Sequence, residues 1–326
     1  MPQPSIAYAV GRVRAASIKP LGEAQLERLI ALPGYDEVLH ALSEMGWSGA
    51  EDGDIDRLST GMLEKACKFL RDISPDPMLT DTFLLRHDVQ NLKALLKARV
   101  LNSKSGRLSR CGIIPPEQLL HAVAERVYTK LPSEFKQAMQ GLEKSLTLAP
   151  DPAEIDIRLD QALYLAVEGR MKKTTSPLAR RYFSAGADLQ NAIALLRLRA
   201  MNRPPEAILD QLLPGGTIPA RDWAKLASQP DLMPGRFKDY SRKIRDAITR
   251  AVQNAAAIPM FEKARDDYLL DLFKPKRNEA FAIEALIGNL LAHEREMAAV
   301  RLILAGKLNG FSQDSIRERL REAYGR

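Results

Sequence analysis

The side chains that most often carry metal or acid–base chemistry are few in this sequence and lie far apart. They comprise four histidines and two cysteines: His40, His87, His121, His293, Cys67 and Cys111. A zinc-binding helix needs a second histidine one turn from the first, and small zinc or redox motifs need a Cys-x-x-Cys pair; neither pattern occurs. The sequence therefore predicts structural or surface histidines, buried reduced cysteines and no bound metal.

Phosphate-binding and nucleophilic motifs are also missing from the sequence. There is no GxxxxGK[ST] loop and no GxGxxG pattern, and the nearest segment, GKLNG at residues 306–310, lacks both the spacing and the hydroxyl. No serine, threonine or cysteine occupies a nucleophile-elbow sequence. We therefore expect a binding or mechanical protein that is not an enzyme, with no cofactor and no small-molecule substrate.

Composition narrows the class of protein further. The 326 residues are 45% hydrophobic, with 19 glycines and 20 prolines, which excludes a disordered, collagen-like or low-complexity chain. No run of about 18 apolar residues occurs. The first residues, MPQP, begin no signal peptide, so we expect a cytoplasmic protein without a membrane-spanning helix. Lysine and arginine exceed aspartate and glutamate by 48 to 41, which leaves a helical nucleic-acid-binding protein as an alternative.

Apolar residues recur at three- and four-residue spacing along almost the whole chain, which predicts an all-α fold. The periodic stretches are residues 26–42, 58–70, 79–101, 118–127, 155–167, 178–201, 244–252, 261–273 and 280–304. Most prolines fall between these stretches, because proline lacks the amide hydrogen that a helix interior needs. Asp151, Pro152 and Glu154 form a helix-start signal, and Gly306 and Gly310 are expected to end the last long helix.

A repeat with a period near one hundred residues organises the chain. The pattern D-x-Q-N-x-x-A-L-L-[KR]-x-R begins at Asp88 and again at Asp188, and a weaker copy, without the asparagine, begins at Glu296. Downstream, GIIP at residues 112–115 corresponds to GTIP at residues 216–219. This period exceeds that of the common helical solenoids, so we predict three pseudo-equivalent helical units that arose by triplication. Their predicted bounds are residues 1–115, 116–219 and 220–326.

Polar and apolar residues share one face of the repeated helix. At about 100° per residue, Asp88, Asn91 and Arg99 fall within one stripe of the helix surface. The stripe is either a core surface, whose acid and amide are satisfied by backbone groups or a neighbouring cation, or a surface that contacts a partner. The candidate interface residues in the three copies are Asp88, Asn91, Arg99, Asp188, Asn191, Arg199, Glu296 and Lys307.

Three features together resemble a known family. They are the repeated helix, the opening segment YAVGRVRA at residues 8–15, and the closing segment from Ile283 through EREM to VRLILAGKLNG at residues 300–310. In order and spacing they are similar to the C subunit of the bacterial and archaeal V/A-type rotary ATPases, which is equivalent to the d subunit of the eukaryotic vacuolar enzyme. The resemblance covers the whole chain.

The resemblance implies an all-helical funnel or collar of three similar units on the cytoplasmic side of a membrane. Such a peripheral subunit is a monomer within a hetero-oligomeric complex. It joins the central shaft subunits to the proteolipid ring and transmits torque for ATP-coupled proton or sodium transport, without hydrolysing ATP or conducting ions. The stripe residues would then line the cavity that receives the shaft. The alternatives are a nucleic-acid-binding protein, a scaffold of another complex, or a helical enzyme with an unrecognised site.

Overall fold

The computed structural model describes residues 4–16, 20–47, 54–148 and 151–324. Within those ranges the chain forms helices joined by turns and loops, and it forms no β-strand, so the all-helical prediction is confirmed there. The α-helices are α1 (Ile6–Ala15), α2 (Glu23–Ala31), α3 (Tyr35–Glu44), α4 (Ile55–Ile73), α5 (Pro77–Val100), α6 (Pro116–Ala124), α7 (Ser133–Leu148), α8 (Pro152–Met171), α9 (Pro177–Ala200), α10 (Ala220–Ser228), α11 (Met233–Arg236), α12 (Arg242–Gln253), α13 (Ile258–Asp271), α14 (Glu284–Leu308) and α15 (Gln313–Arg319).

Each copy of the sequence repeat lies on one long helix. These are α5 and α9, of 24 residues each, and α14, of 25 residues. The start signal before α8 is confirmed, because the Asp151 carboxylate accepts a hydrogen bond from the amide of Ala153 at 2.8 Å. Ser176 caps α9 in the same way, and both helices have proline at their beginning.

The predicted stretch 26–42 is two helices, because the chain leaves helical geometry between α2 and α3. Pro33 lies in this break, where its missing amide hydrogen removes a helical hydrogen bond. Gly34 then precedes α3 in an extended conformation, with φ −140° and ψ −177°. The apolar spacing continues through the break because both helices bury residues in the same core.

The prediction that Gly306 helps to end the last long helix is wrong, because α14 continues to Leu308. A Cβ atom at position 306 would lie 2.8 Å from the side chain of Ile316, so glycine here permits close packing of α15. Gly310 has φ +67°, a left-handed conformation that glycine adopts without strain, and it follows the end of α14 as predicted.

The first of two compact units combines residues 1–80 with residues 270–326. Here α14 packs against α4, α1, α2 and α3. The core includes Leu29, Trp47, Leu58, Val300 and Ile303, all at most 4% exposed. Residues from both ends of the sequence therefore share one hydrophobic core, and their burial is the main source of stability in this unit.

The second unit holds residues 81–269. One core cluster of this unit contains Ile193 of α9, Trp223 of α10, Ile248 of α12, Phe261 of α13 and Phe237. The predicted three-unit division concerns the sequence repeat and stays a prediction. None of the described helices is both long and apolar enough to cross a bilayer.

Candidate functional site at the long helices

The acidic residue that begins the first repeat copy is completely buried. Asp88 lies on α5, and its carboxylate accepts hydrogen bonds from the amides of Ile113 at 2.9 Å and Ile114 at 3.0 Å. Ile114 directly precedes Pro115, the N-cap residue of α6. The side chain of the long helix thus holds the backbone where the next helix begins.

The second copy makes the same contact. Asp188 on α9 is also fully buried, and it accepts from the amides of Thr217, at 2.9 Å, and Ile218, at 3.2 Å. Ile218 directly precedes Pro219, the N-cap residue of α10. The hydroxyl of Tyr240 adds a longer bond of 3.3 Å to the carboxylate, and burial together with this negative charge raises the pKa of Tyr240.

The third copy makes this contact across the two ends of the sequence. Glu296 on α14 accepts from the amide of Leu21 at 2.9 Å, and Leu21 directly precedes Gly22, the N-cap residue of α2. The other carboxylate oxygen of Glu296 lies 3.0 Å from Nδ1 of His293. Both side chains are buried.

We call these three contacts the carboxylate anchors of α5, α9 and α14. In each of them a negative charge lies beside the beginning of a helix, where the helix dipole is positive. The N-cap residues Pro115, Pro219 and Gly22 have no side-chain oxygen that could accept from the first turn. The long helix therefore places a carboxylate acceptor directly before a helix whose own N-cap residue offers no side-chain acceptor.

Two glycines permit the aspartate anchors. A Cβ atom at Gly112 would lie 2.0 Å from Oδ1 of Asp88, and one at Gly216 would lie 2.3 Å from Oδ1 of Asp188. Both distances are far below van der Waals contact, so any larger residue would displace the carboxylate. Glu296 is one methylene longer and bonds to Leu21, and the sequence of residues 16–21 contains no glycine.

In the first two copies, but not in the third, an asparagine side chain forms a further pair of hydrogen bonds with the backbone. The amide group of Asn91 accepts from the nitrogen of Ser109 and donates to its carbonyl oxygen, both at 2.8 Å. Asn191 makes the same pair of bonds to Leu213, at 2.8 and 3.1 Å. Ala299 occupies this position in the third copy and is buried without any side-chain polar group.

The cation that ends each copy bonds to the end of a helix. Arg99 donates to the carbonyl of Val123 at 2.9 Å, Arg199 to that of Val252 at 3.1 Å, and Lys307 to that of Ile30 at 2.7 Å. Each acceptor is the penultimate residue of its helix, α6, α12 or α2. A positive charge at this position complements the helix dipole and the unpaired carbonyl groups.

The three long helices also end in the same way. Fourteen residues after the leading acid, the chain adopts a left-handed conformation, at Asn102 (φ 47°), Asn202 (φ 53°) and Gly310 (φ 67°). The following amide then bonds back to a carbonyl five residues earlier, at 2.8–2.9 Å in all three places. This is the Schellman ending, for which glycine and asparagine are the preferred residues.

Five of the eight candidate interface residues are therefore inside the molecule. The carboxylates and amides of Asp88, Asn91, Asp188, Asn191 and Glu296 are buried and bonded, mostly to backbone groups. Arg99 and Lys307 are half-buried, and Arg199 is exposed. This placement fits the core interpretation of the stripe, and a direct contact of these residues with a partner stays a prediction.

Comparison with known proteins decides the family. The sequence matches the family described as ATP synthase (C/AC39) subunit over residues 9–319. The chain belongs to the C/AC39 subunit family. The resemblance found in the repeat and the terminal segments is thereby confirmed.

Relatives of this C/AC39 chain are distant in sequence but similar in length. The C subunit of the V-type sodium ATPase of Enterococcus hirae is 23% identical over 265 residues, which is 80% of each chain. The C subunit of the A-type ATP synthase of Haloferax volcanii is 22% identical over an alignment 345 positions long, gaps included, that covers 96% of each chain. That of Methanosarcina acetivorans is 24% identical over an alignment of 339 positions, which covers 96% of this chain and 92% of the relative.

Sequence reasoning missed one feature that the C/AC39 chain repeats at its long helices. An apolar side chain is exposed at the carboxyl end of each: Leu101 at 62%, Met201 at 66% and Leu308 at 65%. Single exposed apolar residues are common on protein surfaces, but these three recur at the carboxyl ends of the three long helices. The repeat alignment could have identified them, because they lie twelve or thirteen residues after the leading acids.

Proposed function

We propose that this chain is the non-catalytic coupling subunit of a V/A-type rotary ATPase. It joins the central shaft subunits to the membrane proteolipid ring and transmits torque for ATP-coupled proton or sodium transport. It acts as one peripheral copy within a hetero-oligomeric complex, on the cytoplasmic face of the membrane. Membership of the C/AC39 family and the names of the A-type and V-type relatives support this assignment.

The single observation that carries the mechanical role is the recurring set of anchors on the long helices. Each helix is held near its middle by a buried carboxylate and near its end by a cation bonded to another helix. Charge-assisted hydrogen bonds shielded from water are stronger than exposed ones and hold a single arrangement. A part that transmits torque needs such resistance to shear.

The anchors also support the proposal of a triplicated collar with units at residues 1–115, 116–219 and 220–326. The anchors of α5 and α9 each hold the helix that follows in sequence, whereas that of α14 holds α2, near the beginning of the chain. In a linear array of repeats the last copy would have no successor to hold. Joining the last copy to the first is what a closed collar requires.

We further propose that the ends of the long helices contact the central shaft. Leu101, Met201 and Leu308 would be the apolar contacts. The exposed Arg199 and the half-buried Arg99, which the sequence nominated for this contact, lie at the same helix ends. Apolar contacts at the centre of an interface with cations around them are a common arrangement in protein assemblies.

The test is ion transport per ATP hydrolysed by the reconstituted complex. Replacing Leu101, Met201 and Leu308 together by glutamine should leave the isolated subunit helical, because all three are exposed. We expect ATP hydrolysis to persist while transport per ATP falls about tenfold, since the shaft would turn without driving the ring.

A matched control replaces three other exposed leucines, Leu120, Leu165 and Leu209, by glutamine. It should transport ions normally. Normal transport by the helix-end variant would contradict the contact with the shaft. Unaltered coupling in a complex assembled without this protein would contradict the coupling function itself.

A further inference from the structure

Positive charge is concentrated at the turn that joins α8 to α9 in the second unit. Residues 170–181, which we call the basic turn, contain five cations, and the sequence has no acidic residue between positions 169 and 187. The cations are Arg170, Lys172, Lys173, Arg180 and Arg181. All except the first are exposed, so the turn presents a positive potential to its surroundings.

Most of this charge has no acidic partner. Over the described part of the chain, one of the five cations pairs with a carboxylate, since Lys172 lies 2.9 Å from Glu168. Arg180 and Arg181 donate to neutral acceptors, a backbone carbonyl at 2.5 Å and a tyrosine hydroxyl at 3.1 Å. A neutral acceptor orients a guanidinium group but does not cancel its charge.

The turns before the other long helices have a different balance of charge. Before α14, Lys274 lies 2.5 Å from Asp271, and Lys276 lies 2.9 Å from Glu279, so each lysine is paired with an acid. Before α5, residues 71–76 contain one arginine and two aspartates. The excess of positive charge is therefore particular to the basic turn and is not a general property of the repeat.

Helix dipoles account for only part of the cluster. Arg170, Lys172 and Lys173 lie at the carboxyl end of α8, where cations complement the negative end of the dipole. Arg180 and Arg181 instead lie near the beginning of α9, beside the positive end of its dipole, and the first turn of α9 has no acid. Two cations that the dipole opposes favour an anion outside the chain.

The two ends of α9 differ in chemistry. Met201 is exposed at the carboxyl end, where the proposed contact with the shaft lies, whereas no large apolar side chain is exposed on the basic turn, all of which the structure describes. The 24 residues of α9 separate these ends by about 36 Å. Protein interfaces commonly have an apolar centre, while a surface of cations alone suits the headgroups of an anionic bilayer.

We propose that the basic turn binds the anionic headgroups of a lipid bilayer. This inference rests on the proposed function, in which the chain lies at the face of a membrane. Clusters of about four to eight lysines and arginines are the usual size for such binding, and the guanidinium fork matches the geometry of a phosphate group. One end of α9 then contacts the shaft and the other contacts the membrane surface.

The test is cosedimentation of the purified full-length chain with lipid vesicles. Vesicles made of equal parts of phosphatidylglycerol and phosphatidylcholine should bind the chain, and vesicles of phosphatidylcholine alone should not. The triple variant Lys173→Gln, Arg180→Gln, Arg181→Gln should bind about a hundredfold more weakly, because each cation near an anionic surface contributes about fivefold. Equal binding to the two kinds of vesicle would overturn the proposal.

The matched control is the triple variant Arg203→Gln, Lys225→Gln, Arg250→Gln. Arg203 follows the other end of α9, and Lys225 and Arg250 lie on α10 and α12; all three are exposed. This variant removes the same charge, but its binding to anionic vesicles should fall by about threefold or less, since salt screens charges far from the lipid. Equal losses in the two triple variants would show attraction by net charge alone and overturn the proposal.

Circular dichroism checks that the variants stay helical. If the first triple variant does not fold, Lys172→Gln, Lys173→Gln takes its place, because neither side chain is buried. This double variant should bind anionic vesicles about twenty-fivefold more weakly. Retention of full affinity by the folded variant would overturn the proposal.

An acidic protein partner is the competing occupant. Binding to polyglutamate without binding to anionic vesicles would overturn the proposal in favour of such a partner. Vesicle binding is measured on the isolated chain and ion transport per ATP on the complex, so the two proposals can fail separately. Normal coupling by a chain that binds no anionic vesicles would overturn this inference alone, and vesicle binding by a chain that does not couple would overturn the proposed function alone.

Discussion

The anchors of α5 and α9 differ from that of α14 in chemistry but not in geometry. The first two combine a short aspartate, a glycine opposite it and an asparagine one turn along the helix. The third uses a longer glutamate, a buried histidine and alanine. All three hold the residue directly before an N-cap. The three copies therefore share the contact with the backbone. The group of side chains that makes this contact differs between the two aspartate copies and the glutamate copy.

Removal of an anchoring carboxylate is the change with the largest expected effect. Asp188→Ala removes the buried carboxylate that accepts from the part-buried amides of Thr217 and Ile218, so we expect a loss of about 4 kcal/mol in the free energy of unfolding. Glu296→Ala orphans one backbone amide, that of Leu21, and should cost about 2 kcal/mol. Urea unfolding followed by circular dichroism measures both.

Because the two residues lie in different compact units, each variant should shift mainly the transition of its own unit. Equal losses in the free energy of unfolding of the two variants would contradict the expected difference between the aspartate anchor and the glutamate anchor.

The glycines opposite the aspartates provide the next test. Gly216→Ala places a methyl group against the Asp188 carboxylate, so we expect a loss of about 3 kcal/mol in thermal or urea unfolding. Gly141→Ala is the control, since position 141 lies inside α7 with no atom within 4 Å of an added Cβ. This control should gain about 0.5–1 kcal/mol from helix propensity. A neutral Gly216→Ala variant would mean that the aspartate anchor tolerates displacement.

Replacing the arginine that ends the first or the second repeat copy should lower the free energy of unfolding by less, and by different amounts in the two copies. Arg99 is half-buried and bonds to Glu143 at 2.6 Å as well as to Val123, so Arg99→Gln should cost about 2 kcal/mol. Arg199 is exposed and, among the residues that the structure describes, bonds only to the carbonyl of Val252, so Arg199→Gln should cost about 0.5 kcal/mol. Stability measurements on the pair check this order, and the reverse order would contradict the placement of Arg99.

The smallest expected effect is a loss of stability that occurs only in alkaline solution. Burial, with the adjacent Glu143, raises the pKa of Tyr128 to about 12, against 10.0 for an ordinary tyrosine. A raised folded-state pKa means that the phenol supports folding fully below about pH 10 and that this support falls as the pH rises towards 12. The pKa values of Tyr164, Tyr240 and Tyr324 are raised as well, so absorbance at alkaline pH should show several tyrosines titrating late, and Tyr128→Phe should reduce their number by one. In the first unit burial raises the pKa of Tyr324 to about 12 as well, so both units should show the effect.

Much of the fold can be predicted from the local sequence pattern, but the contacts of the anchors cannot. The long helices, the cap at Asp151 and the turn at Gly310 depend on residues within a few positions of each other, and the sequence predicts them. Helix α7 is equally predictable, since Phe135, Met139 and Leu142 are spaced as one buried helical face, but the predicted stretches do not include it.

The partners of the stripe residues could not be predicted in the same way. The spacing of Asp88 and Asn91 leaves a buried acid and a partner-facing acid equally possible. The bond between Glu296 and Leu21 joins residues 275 positions apart. The periodicity of the sequence does not predict contacts between residues so far apart. The pairing becomes visible only when packing brings the two ends of the chain together.

The long sequence separation between Leu21 and Glu296 affects how the protein folds during its synthesis. Leu21 is synthesised 275 residues before the carboxylate to which it bonds. The second unit, which is continuous in sequence, can mature while translation proceeds. The N-terminal segment must instead wait, with apolar residues such as Leu26 and Leu29 uncovered, until α14 emerges. Chaperone capture of nascent chains is therefore expected to concentrate on residues 1–80 and to end once α14 has emerged from the ribosome.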